Sequence, residues 1–222
     1  MTSTPGVTRP ALLADTVLLV SGGSQGVGAG IVRAAVREGA QVAFTGRRPD
    51  VGKALETELP GTHFIEADVA QTDSALDSVA ETISHFGRVD ALVNSAGLTS
   101  RGTLLDTTEE LFDQHIAVNL RGPFFTMQAA VKDMRERAVP GSIVNIISTS
   151  ELGGQPYLAP YVAAKAGLAG LTRNAAHAHR WDRIRINGLD IGWTQTEGED
   201  LTQRAFHDAG DDWQERAGST LP

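Results

Sequence analysis

Tyr161 and Lys165 stand four residues apart in the small, apolar run APYVAAKAGLAGL of residues 159–171. Residues at i and i+4 share one face of a helix, so the phenol and the ammonium would point the same way. One chemistry for such a pair is a proton donor and acceptor whose pKa is tuned by a neighbouring positive charge. The plainer alternative is a tyrosine packed in a core beside a solvated lysine. The pair alone leaves both open.

A second stretch with chemical meaning is SGGSQGVG, residues 21–28, where Gly22, Gly26 and Gly28 have the spacing Gly-x-x-x-Gly-x-Gly. It follows the β-branched, apolar run 16–20 and opens a segment with helical patterning. At a strand-to-helix turn, glycines let the backbone approach a pyrophosphate, and the helix N-terminus supplies amide donors and partial positive charge. Gly22, Ser24, Gly26, Val27 and Gly28 are therefore candidate cofactor contacts.

The end of the next strand distinguishes two kinds of ribose. An acidic residue there accepts from a 2′-hydroxyl and repels a 2′-phosphate. Here Gly46 occupies that point, and Arg47 and Arg48 follow it. Guanidinium groups clamp phosphate bidentately. This favours NADP(H) over NAD(H), the alternative being two solvated loop charges.

These groups need elements to position them. Apolar strand patterns at residues 16–20, 41–46, 63–68, 89–97, 141–148 and 183–189 alternate with helical patterns at 31–40, 49–59, 73–87, 108–119, 123–137 and 156–180. The long last helix is expected to start after Pro160, and LRGP, residues 120–123, to break two neighbouring helices. Strand and helix in alternation imply a single-domain, doubly wound parallel α/β sheet with right-handed crossovers, Rossmann-like in three layers. The strands are largely apolar rather than alternating, as expected where helices cover both faces. In such a sheet Ser148 falls at the C-terminal end of the fifth strand, where α/β folds bind ligands. Thr149 and Ser150 are rival hydroxyls.

Composition narrows the classes. The 222 residues carry a net charge of −8 with no basic block, so the electrostatic footprint of a nucleic-acid binder is missing. No cysteine is present, which excludes disulfides and thiolate sites and suggests a reducing, cytoplasmic setting. The N-terminal MTSTPGVTRP does not resemble a secretory signal, and no apolar run is long enough for a membrane span. No metal site is expected. His177 and His179 lie about 200° apart around a helix, and EGED at 197–200 and DD at 211–212 read as solvated acidic stretches.

The glycine-rich turn is similar to the Thr-Gly-x-x-x-Gly-x-Gly motif of the short-chain dehydrogenase/reductase family, with Ser21 in the threonine's place. The resemblance continues in order over residues 16–196. Asp68-Val69 stands where the family's aspartate meets adenine, and Asn94-Ser95-Ala96-Gly97 resembles its Asn-Asn-Ala-Gly. Asn119, Ser148, Tyr161 and Lys165 match its catalytic four.

The resemblance implies hydride transfer between a nicotinamide and a carbonyl or secondary alcohol. Tyr161 would be the acid/base, Ser148 would orient the substrate oxygen, and Lys165 would lower the phenol pKa and hold ribose hydroxyls. The Asn119 carbonyl would hold a water that relays protons, unless Asn119 is only a helix-end cap. Asn94, Ala96, Gly97, Gly192 and Thr194 would complete the cofactor site, with Tyr161 and Lys165 also touching it.

Two departures accompany the resemblance. Ile191-Gly192 replaces the usual Pro-Gly, and no strand-like run follows residue 189, so a seventh strand is expected to be lacking and 208–216 to form at most a short helix. Residues 1–14 read as an N-terminal arm, and 193–222 as a substrate loop with a truncated tail. Substrate contacts are expected from 193–213 and 150–157. A homodimer or homotetramer is expected, with contacts from the 119–137 and 161–180 helices. The alternative function is a nicotinamide-binding sensor or scaffold without turnover.

Overall fold

The computed structural model describes residues 11–206 and 209–220. The chain order is β1 (Val17–Ser21), α1 (Gly26–Arg37), β2 (Gln41–Gly46), α2 (Pro49–Glu58), β3 (His63–Glu66), α3 (Thr72–Phe86), β4 (Ala91–Asn94), α4 (Glu109–Ile116), α5 (Gly122–Glu136), β5 (Gly141–Ile146), α6 (Ala159–Ala178), β6 (Ile184–Leu189), α7 (Glu197–Phe206) and α8 (Trp213–Thr220). The six strands form one parallel sheet in the order β3-β2-β1-β4-β5-β6. The order reverses between β1 and β4, and ligands of doubly wound sheets bind beyond the strand ends at such a point.

Side chains alternate across each strand, which sorts the core into two layers. On one face Leu19, Ala43, Leu92, Ile143 and Ile186 pack with Met127, Met134 and Leu168. On the other, Leu18, Val20, Val42, Phe44 and Phe64 pack with Val32 and Leu55 of α1 and α2. β1 is buried along its whole length.

The expectation that every strand is covered on both faces fails beyond β1. In β6, Ile184 and Ile186 are buried while Arg185 and Asn187 are exposed, and β4 and β5 alternate in the same sense. α1 and α2 reach only the β1–β3 half, so the outer half of that face is free to carry polar residues. Among the described residues no strand follows β6.

Two helix boundaries also differ from the sequence pattern. LRGP does not break the chain: a π-helical turn, Ala117–Arg121, joins α4 to α5, with the Gly122 N–H bonded to the Ala117 carbonyl. Because the helix runs on through this turn, the missing N–H of Pro123 leaves one carbonyl of the π-helical turn without an intrahelical donor. Helix α6 begins at Ala159, with Pro160 in its first turn, where a missing N–H costs no intrahelical bond. The helix expected over 208–216 is α8, Trp213–Thr220; Asp208 and the residues of the arm up to Pro10 lie outside the described residues. Among the described residues no helix is long and apolar enough to cross a membrane.

Candidate active site

Helix α6 packs on the sheet and turns Tyr161 and Lys165 inward, at 8% and 4% exposure. The Lys165 Nζ donates to the Ile146 carbonyl at 2.7 Å, at the end of β5, and lies 5.7 Å from the centre of the Tyr161 ring. Burial depresses the Lys165 pKa to about 8. The phenol moves the other way. Burial pushes it up, the Ser148 hydroxyl draws it partly back, and the charge of Glu199 adds to the rise. Lys165, expected to lower the phenol, is not among the groups that shift it in the protein alone.

Ser148 continues β5 in an extended conformation, and the next amide, Thr149 N–H, is tied to the Ile191 carbonyl at 3.1 Å. Its Oγ donates to Ser150 Oγ at 3.0 Å, and Ser150 donates to Gln155 Oε1 at 2.6 Å. Ser150, a rival by sequence, is thus engaged with its own wall of the cleft, and Ser148 is the hydroxyl that acts on Tyr161.

Asn119 sits fully buried in the π-helical turn rather than capping a helix end. Its Oδ1 accepts from Leu98 N–H at 3.0 Å, and its Nδ2 donates to the Leu98 carbonyl at 3.0 Å. The same Nδ2 meets Nδ1 of His115 at 3.2 Å, and His115 Nε2 contacts the Ser100 carbonyl at 2.9 Å. Ser100 offers only an acceptor there, so Nε2 carries the proton and Nδ1 accepts from Asn119. Burial lowers the His115 pKa and keeps the ring neutral. The ring stands edge-on to Tyr161, with centroids 6.1 Å apart. Sequence reading passed over His115, although its place four residues before Asn119 is the same signal that singled out Tyr161 and Lys165.

The cofactor residues separate into contacts and supports. α1 begins at Gly26, whose φ is +55°, and its N-terminus has no side-chain cap, which leaves first-turn amides facing the cleft. A side chain at Gly28 would start 2.1 Å from the Gly22 carbonyl, so this glycine lets α1 close on the turn. Gly22 itself abuts the backbone of Ala96. Ser24 lies against Gly46, where any side chain would start 2.3 Å from its hydroxyl. Val27, next to Gly26, is half-buried, and Val69 is buried.

A cavity of about 500 Å³ is lined by Arg47, Glu66, Ala67, Asp68 and Ser74. Arg48 instead hydrogen-bonds Gln25. Asp68 Oδ1 accepts from Ala70 N–H at 3.0 Å, which fixes the strand-end turn. Asn94 faces inward: its amide donates to Asn145 Oδ1 at 2.9 Å and accepts from Thr126 at 2.7 Å. It supports the strand end from below rather than facing the cleft. Gly97 and Gly192 are exposed, and Thr194 donates to the Gly192 carbonyl at 3.2 Å. These residues fit a dinucleotide: uncapped helix amides stand beside the glycine turn, and a polar cavity opens beyond the second and third strands.

The acidic stretches expected to be merely solvated have partners. Asp200 accepts from Arg204 at 2.8 Å and from Trp213 Nε1 at 2.7 Å, and Asp211 accepts from Arg204 at 2.9 Å. Together they join α7 to α8. Glu199 accepts from Gln203 Nε2 at 2.8 Å. His179 Nδ1 meets Asp182 Oδ2 at 2.8 Å.

Fold and cleft together define a nicotinamide-dependent oxidoreductase of the doubly wound α/β class. The model of the short chain dehydrogenase family matches residues 16–205. The chain belongs to that family, whose enzymes interconvert CH–OH and C=O groups. The L-fucose dehydrogenase of Mus musculus is 39% identical over 181 residues, covering 80% of this chain and 66% of the relative. The 3-alpha-(or 20-beta)-hydroxysteroid dehydrogenase of Mycobacterium tuberculosis (strain ATCC 25618 / H37Rv) is 36% identical over 200 residues, covering 87% and 76%. The crystal structure of levodione reductase superposes with a TM-score of 0.83 at 28% identity, covering 88% of this chain and 79% of that one.

Proposed function

We propose that the chain is an NADP(H)-dependent carbonyl reductase and alcohol dehydrogenase in which Tyr161 moves the proton. The observation that carries the reading is the buried cluster of Tyr161, Ser148 and Lys165 at the end of β5. Bound nicotinamide supplies or accepts the hydride. Ser148 orients the substrate oxygen, and the phenol delivers a proton to it or takes one back. Burial and Glu199 hold the phenol protonated, which is the form that reduction needs. Lys165 and the positive charge of the oxidised cofactor favour phenolate for the reverse direction. Asn119, held by His115 and Leu98, fixes the π-helical turn from which its carbonyl would hold a relay water.

Arg47 would meet the 2′-phosphate beside a strand end that carries no carboxylate of its own, with Arg48 one residue beyond. Pairing of Gly46 with Glu66 in the sheet brings an acidic residue to the same cavity, and it opposes the phosphate. A dimer belongs to the same reading. The groove between α5 and α6, about 600 Å³, combines apolar Phe124, Val131 and Leu171 with polar Gln128, Lys132 and Arg135 in its lining. A groove of this mixed character suits a second copy, and a monomeric mass in sedimentation at micromolar concentration would exclude it.

The test is titration with NADPH and NADH followed by turnover of sugars, hydroxysteroids and simple ketones. Tighter NADPH binding with turnover of at least one carbonyl is expected. Tighter NADH binding, or NADPH binding with no turnover, would contradict it.

A further inference from the structure

Helix α7 is amphipathic in the reverse sense to a helix laid on an apolar core. Its buried side chain is Gln203, at 4% exposure, while Leu201 and Phe206 are 64% and 58% exposed. Gln203 Nε2 donates to Glu199 Oε1 at 2.8 Å, one turn earlier on the same face. The neighbouring Asp200 is committed to Arg204 and Trp213. Glu199 is therefore the acid of α7 on the face that carries buried Gln203, and its charge adds to the rise of the Tyr161 phenol. Its second oxygen, Oε2, accepts no hydrogen bond among the described residues.

Both ends of the helix are anchored. Thr196, whose hydroxyl accepts from Glu199 N–H at 3.1 Å, lies over Gly26 of the glycine-rich turn. At the other end Phe206 packs on the Arg101 guanidinium, 4.4 Å from its ring centre, and Arg101 lies 4.3 Å from the centre of Tyr157. Glu199 is thus held across the cleft by packing at both sides.

The effect of Glu199 on the phenol needs only its charge, which leaves its second oxygen available to a ligand. Its vacant oxygen is an acceptor in a partly dry site, and such an acceptor discriminates strongly between a ligand that donates to it and one that does not. Lys165 below and Arg101 at the rim already bring two cations to this cleft, so a neutral donor fits better than a third.

Resting on the oxidoreductase reading above, we infer that Glu199, held by Gln203, accepts a hydrogen bond from a substrate hydroxyl next to the reacting carbon. The substrates are then polyhydroxylated small molecules, vicinal diols and α-hydroxyketones, rather than compounds with one oxygen function on an apolar frame.

The test compares 2-hydroxycyclohexanone with cyclohexanone, with NADPH, in the wild type, Glu199→Leu and Glu199→Gln. Each protein is checked by thermal melt and NADPH fluorescence, and Glu199→Gln serves if the leucine variant does not fold. The wild type should favour the hydroxyketone in kcat/KM by about 30-fold, the effect of a hydrogen bond to a charged group. Glu199→Leu should bring the ratio to within about threefold of unity, with Glu199→Gln between them.

Equal turnover of the two ketones by the wild type, or an unchanged ratio in Glu199→Leu, overturns the assignment while leaving the acid/base reading intact. If neither ketone turns over, their binding to the NADPH-loaded protein is compared by saturation-transfer NMR. Discrimination that disappears in Glu199→Leu then supports Glu199, and the acid/base reading is decided separately by turnover across the wider panel of carbonyls. Absence of discrimination in binding overturns the Glu199 assignment.

Discussion

Helix α6 presses Tyr161 and Lys165 against the sheet, whereas α7, across the cleft, leaves Leu201 and much of Phe206 exposed and is tied to α8 by the hydrogen bond from Trp213 to Asp200. The α6 side gains its geometry from the core. Lys165 is placed by the Ile146 carbonyl, and the helix behind it is fixed by buried Ala164, Leu168 and Ala169. The α7 side rests on a few contacts, Thr196 on Gly26 and Phe206 on Arg101. Groups that move protons must hold their pKa values and positions, which burial provides. Groups that select a substrate need only the right acceptor at the rim, and an exposed helix can supply it.

The contrast breaks most visibly at Lys165. Lys165→Met should lower kcat/KM by about 10²- to 10³-fold, within the range for loss of acid/base support. It should also change stability in a pH-dependent way. Below pH 8 the lysine is charged in both folded and unfolded chains, and the burial cost is fully present. Between about 8 and its ordinary 10.5 the unfolded chain binds a proton that the folded chain does not, so unfolding free energy rises with pH. The wild type should therefore gain up to about 3 kcal/mol relative to Lys165→Met across that window in denaturant unfolding. Parallel pH profiles of the two proteins would show that Lys165 carries no such shift.

On the cofactor side, Arg47→Asp should move the NADPH/NADH affinity ratio towards NADH by about 30-fold, as a charge-assisted contact is replaced by repulsion. An unchanged ratio in fluorescence titration would remove Arg47 from the 2′-phosphate site. The smallest effect belongs to the solvent face of α7. Leu201→Ser should alter stability by no more than about 0.5 kcal/mol and leave turnover within about twofold. A large loss would show that this face is covered in the working enzyme.

What could be read from the sequence follows the same division. The pairing of Tyr161 with Lys165 is local, set by one turn of helix, and the glycine turn is local to β1 and α1. His115 and Asn119 were equally legible by spacing, but an expected break at LRGP placed Asn119 at a helix end and hid the pair. The approach of Glu66 to Arg47 was not legible, because it depends on the register of β2 against β3. Nor was Glu199, since the face that α7 turns inward is set by its anchors at Gly26 and Arg101, both far away in the chain. The open face of β4–β6 is likewise a property of which strands α1 and α2 cover.

The most direct measurement is made on Tyr161→Phe, which keeps the ring and removes only the hydroxyl. NADPH binding should stay within about threefold of the wild type while turnover of an accepted ketone falls about 10³-fold. Turnover near the wild-type rate with NADPH bound would contradict the central claim that this phenol moves the proton.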